Sequence, residues 1–451
     1  MRAPSTLTQA LCDNFETKSP TPFLTKLLNR DPHIVSTRTT MSNVQILDVN
    51  LYGEPIGSLT LLQGDRSIFA FNDAYIEDTN RPTLSLSFKD EFGELITTTR
   101  PTQTSLGPFF SNLLPEGHMR EYLAKRAGVK EMREFHLLWA LGADLPGAMT
   151  VSSPDDARWK VDDVSAVKGL AAEAAQKAAM RFSLAGVQIK FSAIAEASGG
   201  LTIPVDGRGG SWIVKLPSLR FPGVPENEFS MMSIAKRMGM DVPRHTLVDP
   251  KDVEGLPGDI DGLKEPAFAI ERFDRPASGE RTHIEDFAQV FGVRPRDKYD
   301  RASYPMLAKV LWIETGGAGV DEFIRRLVFN TLIGNADMHL KNWSLIYRDR
   351  RTPTIAPAYD FVSTIAFLDD YNAALKYARQ KSMKDFGFDE LRLLAAKAGA
   401  PEALVIKAAK ETVDRFHQIW RAENGALPLT AHMRQVIDAH YQETSLFKGE
   451  D

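Results

Sequence analysis

The chain has 451 residues, of which 43% are hydrophobic and 25% charged, with 31 glycines and 26 prolines. These ordinary globular proportions exclude a collagen-like, coiled-coil or mainly disordered chain, and the length corresponds to about three domains at roughly 150 residues each. The 54 Lys and Arg against 59 Asp and Glu give a net charge of -5, without the basic footprint of a duplex-coating protein, and the single Cys12 excludes an internal disulfide framework or a cysteine-cluster zinc site.

Taken in chain order, residues 1–43 are polar and rich in Ser, Thr and Pro, and read as a flexible extension without the apolar core of a signal peptide. From Val44 the text VQILDVNLYGEPIGSLTLL alternates apolar residues around a turn signal and predicts a β-hairpin. A second alternating run, TLSLSF at 83–88, predicts another strand. FFSNLLPEGHMREYLAKRAG then changes to helical spacing, with FFSNLLPEG expected to be a turn anchored in the core. Residues 44–151 form one compact β-rich α+β subdomain on this pattern.

Residues 152–180 are acidic and then Ala-rich, as in a linker followed by a short helix. Over 181–275, FSLAGVQIKFSAIAE, SWIVKLP and EPAFAIERFD read as strands and ENEFSMMSIAKRMGM as an amphipathic helix, the order of a small nucleotide-binding lobe. Residues 276–445 read as a helical lobe, in which DEFIRRLVFNTLIG is one helix. Ile406, Ala409, Val413, Phe416 and Trp420 repeat at spacings of three and four and mark a core-facing stripe on another. No run approaches the roughly 18 apolar residues of a membrane span, and with one cysteine the expected setting is cytoplasmic.

The densest chemistry lies in GNADMHLKNWSLIY at 334–347, a polar loop between apolar runs. An Asp with an Asn five positions on, Asp337 and Asn342, is the spacing of a phosphotransferase whose Asp orients the attacking hydroxyl and whose Asn binds a metal. Lys341 between them would neutralise phosphoryl charge, and His339 would brace the loop. Asp360 stands in the apolar run IAPAYDFVSTIAF, where a carboxylate needs a partner such as Mg²⁺. Lys215 ends an apolar strand and would meet nucleotide phosphates, oriented by Glu228 of the following helix. The small residues of SLAGVQIK, 183–190, suit a phosphate-covering loop, although neither a Walker nor a dinucleotide fingerprint is present. The residues themselves leave three readings open: a protein kinase, a small-molecule or lipid phosphotransferase, and a non-catalytic nucleotide-sensing module.

These motifs together resemble the HipA family of serine/threonine kinase toxins from type II toxin–antitoxin modules. TLSLSF, FFSNLLPEG and GADLPGAMTV are similar to its N-terminal subdomain, FSLAGVQIK to its phosphate loop, IVKLP to its ATP-lysine strand, AIERFDR to its hinge, and GNADMHLKN with AYDFVST to its catalytic and metal loops. The resemblance implies an α+β, two-lobed kinase-like fold using ATP and Mg²⁺. It implies Asp337 as catalytic base, Asn342 and Asp360 as Mg²⁺ ligands, Lys190 and Lys215 on ATP phosphates, and the backbone of Glu271, Arg272 and Phe273 on adenine. Ser183 matches the loop serine that members autophosphorylate, while Ile189 stands where a Glu is common. The implied partners are a translation-related protein substrate, such as an aminoacyl-tRNA synthetase, and a small helix-turn-helix antitoxin through which alone DNA would be touched.

Overall fold

The computed structural model describes residues 46–154, 190–195, 201–202, 210–218, 220–256 and 265–449. In β1 (Ile46–Leu51) the period-two pattern sends Leu47, Val49 and Leu51 fully into the core while the residues between them remain accessible. Leu51 pairs directly with Glu54, the first residue of β2 (Glu54–Leu62), so the hairpin turns on Tyr52 and Gly53, both at positive φ. That pair of left-handed residues is what a two-residue hairpin compatible with strand twist requires. β3 (Arg66–Phe71), β4 (Thr102–Gln103) and β5 (Met149–Ser152) complete an antiparallel sheet in the order β4-β3-β2-β1-β5.

One expected strand is absent. TLSLSF forms no ladder, and Leu86–Phe88 is a 3-10 turn. Its alternation has another cause: the segment is held by side chains of the helical lobe instead of by a neighbouring strand. Ser85 Oγ and Leu86 N donate to the fully buried Glu285 at 2.5 and 3.0 Å, and Leu84 O meets His283 Nε2 at 2.7 Å. FFSNLLPEG does anchor a core, since Phe109, Phe110, Leu113 and Leu114 pack with the inner face of the sheet. Its first half is the short helix Pro108–Asn112, and helix Gly117–Arg126 follows it.

The second sheet contains β6 (Lys190–Ala195), β7 (Leu201–Thr202), β8 (Trp212–Lys215), β9 (His245–Val248), β10 (Val253–Glu254) and β11 (Ala267–Glu271), in the order β10-β7-β6-β8-β11-β9. β11 is buried on both faces, with Ala267 and Ala269 on one side and Phe268 and Ile270 on the other, which is why AFAI reads as an unbroken apolar run. Helix Val224–Arg237 covers the latter face with Met231, Met232, Ile234 and Ala235.

The catalytic lobe is mainly helical but opens on a strand. β12 (His283–Asp286), β13 (Ser344–Tyr347) and β14 (Thr354–Ile355) form a three-stranded antiparallel sheet within it. Helix Tyr304–Ile333, broken at Gly316, packs against helices Phe388–Ala398 and Glu402–Glu423. On the last of these Ala409, Val413, Phe416 and Trp420 are buried and Ile406 lies at the core's edge, as the stripe predicts. Among the described residues no helix is long and apolar enough to cross a membrane.

Candidate active site

The loop that carries Asp337 begins where helix Tyr304–Ile333 stops. Gly334 ends the helix at φ +70, and a Cβ there would lie 2.3 Å from Ile365 Cδ1, so both backbone and packing demand glycine. The loop then folds on its own polar atoms. Asn335 Oδ1 accepts from Asp337 N at 3.0 Å while Asn335 Nδ2 donates to Asn330 Oδ1 at 2.8 Å. Asn342 Nδ2 donates to Asp337 O at 2.8 Å, which gives the five-residue spacing its physical meaning. Asn342 Oδ1 has no hydrogen-bond partner among the described residues. Tyr299 donates its hydroxyl to Asp337 Oδ1 at 2.6 Å, and partial desolvation together with the adjacent Asp337 carboxylate holds that phenol above its usual range. His339 is buried with its ring edge-on to Tyr299, and desolvation pushes it down to about 4, so it stands there as a neutral brace.

A second set of groups comes from the sheet. Lys190 of β6 and Lys215 of β8 are direct cross-strand partners, so both project from the same face. Like charges placed opposite one another are unfavourable without an anion between them, and Asp360 supplies it. Lys215 Nζ lies 2.5 Å from Asp360 Oδ1 and 2.5 Å from Glu228 Oε1, and Lys190 Nζ is 3.8 Å from the same Asp360 oxygen. Burial alone would raise the Asp360 pKa, but the two ammonium groups outweigh it and hold the carboxyl far below its ordinary value. For Lys215 burial works against the charge and the two carboxylates prevail, keeping it raised. Lys190 is drawn up by Asp360, yet the neighbouring Lys215 and desolvation leave it below the usual lysine range. Glu228 is fully buried, and its Oε2 has no partner among the described residues. Asp360 itself sits at φ +62, a left-handed conformation uncommon for a residue with a side chain.

The structure therefore brings Lys190, Lys215, Glu228 and Asp360 into one cluster. Asn335, which anchors the Asp337 N–H, also reaches Asp360 O at 3.4 Å and ties the two loops together. Lys341 is placed differently from the expectation that it neutralises phosphoryl charge. Its Nζ points towards the N-terminal subdomain, 2.8 Å from Glu116 Oε1 and 3.0 Å from Asn112 O, because those oxygens lie on its side of the loop. In the hinge, the Glu271 carboxylate is taken up by exposed Arg244 at 2.9 Å, and the Arg272 guanidinium by Asp274. Phe273 packs its ring 5.8 Å from that of Tyr359, whose hydroxyl donates to Lys341 O. Ser183 and Ile189 lie outside the described residues. Tyr299 and Asn335 were not predicted from sequence, since neither belongs to a spacing pattern. The polar GNAD run was the available signal for Asn335.

Chemically, the arrangement offers cations for an anionic ligand, open oxygen donors for a hard metal ion, and a carboxylate on a loop that can receive a hydroxyl proton. Residues 47–152 match the HipA N-terminal domain and residues 182–420 the HipA-like C-terminal domain. The putative kinase Y4dM of Sinorhizobium fredii (strain NBRC 101917 / NGR234) is 58% identical over 413 residues, covering 90% of this chain and 99% of that protein. The serine/threonine-protein kinase toxin HipA of Shewanella oneidensis is 28% identical over 392 residues, 77% of this chain and 84% of that one. Among solved structures, the Shewanella oneidensis MR-1 toxin–antitoxin complex of HipA, HipB and operator DNA superimposes with a TM-score of 0.68 at 23% identity, covering 89% of this chain and 96% of that one. The fold is thus α+β and two-lobed, as the motif resemblance implies.

Proposed function

This chain belongs to the HipA family of kinase-type proteins, and from that premise we propose that it is an ATP- and Mg²⁺-dependent protein serine/threonine kinase acting as a growth-inhibiting toxin. The observation that carries the reading is the cross-strand lysine pair closed by Asp360, two cations and a strained carboxylate at the edge of the loop that presents Asp337 and Asn342. The residues fit the groups they would hold. Asp360 has one oxygen engaged by lysine and the other without a partner among the described residues, and Asn342 has an unpartnered Oδ1, which is the hard-oxygen pair that Mg²⁺ takes alongside phosphate. ATP with Mg²⁺ supplies the phosphoryl group and the counter-charge for its terminal oxygens.

The chain's own residues do the rest. Lys190 and Lys215 bind phosphate oxygens, and Glu228 keeps Lys215 aimed by a buried contact. The backbone N–H and C=O of Phe273, free of hydrogen bonds among the described residues, are available to an adenine edge. Asp337 receives the proton of the acceptor hydroxyl as that oxygen attacks, and Asn335, Asn342 and Tyr299 hold Asp337 in place for it. Ser183 is the proposed site of autophosphorylation. The likeness to a complex that contains HipB and operator DNA supports a helix-turn-helix antitoxin as partner, with DNA reached only through it. A translation-related acceptor, such as an aminoacyl-tRNA synthetase, and a cytoplasmic setting complete the reading. Incubation with γ-labelled ATP and Mg²⁺, followed by peptide mass spectrometry, tests it: label is expected in the protein or in a lysate acceptor and is lost in Asp337→Ala. Label that persists in that variant would contradict the assignment.

A further inference from the structure

The N-terminal subdomain touches the catalytic lobe along the segment Leu106–Glu116, where several hydrogen bonds end on main-chain atoms. Gln289 Nε2 donates to Phe109 O at 3.1 Å, Asn112 Nδ2 to Val293 O at 2.7 Å, and Arg294 to Leu106 O at 3.2 Å. The segment closes on Glu116. This residue stands at the N-cap of helix Gly117–Arg126, yet its carboxylate makes no capping bond. It reaches across to the other lobe, with Oε2 2.8 Å from Lys298 Nζ and Oε1 2.8 Å from Lys341 Nζ. Lys341 adjoins Asn342. Lys298 adjoins Tyr299, which holds Asp337, and Lys298 O accepts from Leu340 N at 3.5 Å. One carboxylate of the N-terminal subdomain therefore grips both stretches of chain that orient the proposed base.

We infer that Glu116 is a positioning residue for phosphotransfer, and that the N-terminal subdomain completes the catalytic centre by clamping Lys298 and Lys341 so that Asp337 and Asn342 keep their geometry. The inference rests on the role proposed above for Asp337. Two further observations favour positioning over simple adhesion. Glu116 is 32% exposed and its partners Lys298 and Lys341 18% and 17%, so solvent reaches these pairs more than it does the deeper Asp274 cluster. The N-terminal subdomain is already fastened to the hinge beside the catalytic lobe by the buried Asp144, Arg272, Asp274 and Arg275 cluster. Burial would raise the Glu116 pKa, but Lys341 and Lys298 override it and bring it down to about 2, so the carboxylate is ionised at neutral pH.

The test compares the full chain with Glu116→Gln, Lys341→Met and the double variant. In the nucleotide-free protein, hydrogen exchange of residues 337–343 is expected to accelerate in Glu116→Gln while the melting temperature falls less than in Asp274→Asn. With ATP and Mg²⁺, kcat for phosphotransfer is expected to fall roughly tenfold to a hundredfold with an unchanged KM for ATP, the cost of a misplaced catalytic group. The double variant should lose no more than the worse single one, because both break the same contact. Unchanged exchange and kcat would overturn the inference, as would a loss of global stability that accounts for the lower rate. If no form transfers phosphate while exchange still responds to Glu116→Gln, the clamp stands as a physical contact and it is the kinase reading that fails.

Discussion

Two ion clusters, each built around an aspartate, are wired differently. Around Asp274, Oδ1 accepts from Arg272 Nε at 3.0 Å, and Oδ2 accepts from Arg272 Nη2, Arg275 Nη1 and Gly147 N at 2.8–2.9 Å. Arg275 also donates to Asp144, Leu145 O and Gly147 O, leaving only its Nε without a partner. Around Asp360 the wiring is incomplete. A strained aspartate holds two lysines, Glu228 keeps an unpartnered buried oxygen, and one of the lysines is half exposed. A network whose central carboxylate is filled by four donors joins the N-terminal subdomain to the hinge and leaves that carboxylate no room for a ligand. An unsaturated one, held in an uncommon backbone conformation, is the place where a ligand completes the set.

The sharpest test of this contrast is Asp337→Asn, which removes the proposed base while keeping the side-chain shape. Phosphotransfer is expected to fall by about 10²–10⁴-fold, the usual contribution of a positioned proton acceptor, with an unchanged melting curve. Asp274→Ala should do the opposite. It strands Arg272 and Arg275 in a buried setting and is expected to cost about 3–5 kcal/mol in urea unfolding.

A third prediction concerns Glu285, a carboxylate that joins the two regions without any cation. It accepts from Ser85, Leu86 N and Tyr347, and burial pushes its pKa up to about 7. Below pH 4.5 it is protonated both folded and unfolded and contributes no slope. As pH rises towards 7 the unfolded chain ionises first, so folding loses on the order of 3 kcal/mol from this group before the effect levels off. Glu285→Gln should remove that slope from unfolding free energies measured between pH 4.5 and 7.5, and an unaltered slope would show the carboxyl to be ionised in the fold. The smallest expected effect is that of Tyr299→Phe. Loss of one hydrogen bond to Asp337 should lower kcat by about tenfold or less, with stability unchanged, in steady-state assays.

Much of this was legible from residue order, but unevenly. The β1–β2 hairpin, the helix at 224–237 and the stripe from Ile406 to Trp420 declare themselves through periodicity, because each buries one face against its neighbours. TLSLSF misleads because alternation reports which residues are buried and not what satisfies the backbone, and here Glu285, 199 and 200 positions away, does so. β12 is four residues long and three of them are ionisable, too short to show a period. In the candidate site, Asp337 and Asn342 stand out in a polar loop between apolar runs, Asp360 inside an apolar run and Lys215 at the end of one. Tyr299 and Glu116 do not, since their meaning comes from contacts across 38 residues in one case and across 182 and more in the other. Lys341 shows the limit from the other side: its neighbours in sequence suggest phosphate, while its neighbours in space are Glu116 and Asn112.

The most direct measurement pairs Asp360→Asn with Asp274→Asn, reading thermal unfolding and the binding of ATP with and without Mg²⁺ by calorimetry. Asparagine tolerates the left-handed backbone of position 360 and leaves Lys215 its contact with Glu228, so Asp360→Asn is expected to keep the melting temperature and lose the Mg²⁺-dependent part of nucleotide binding. Asp274→Asn is expected to melt earlier and, where folded, to bind the nucleotide normally. An Asp360→Asn variant that unfolds as early as Asp274→Asn, yet binds ATP and Mg²⁺ like the parent, would contradict the distinction between the two clusters and the kinase site built on it.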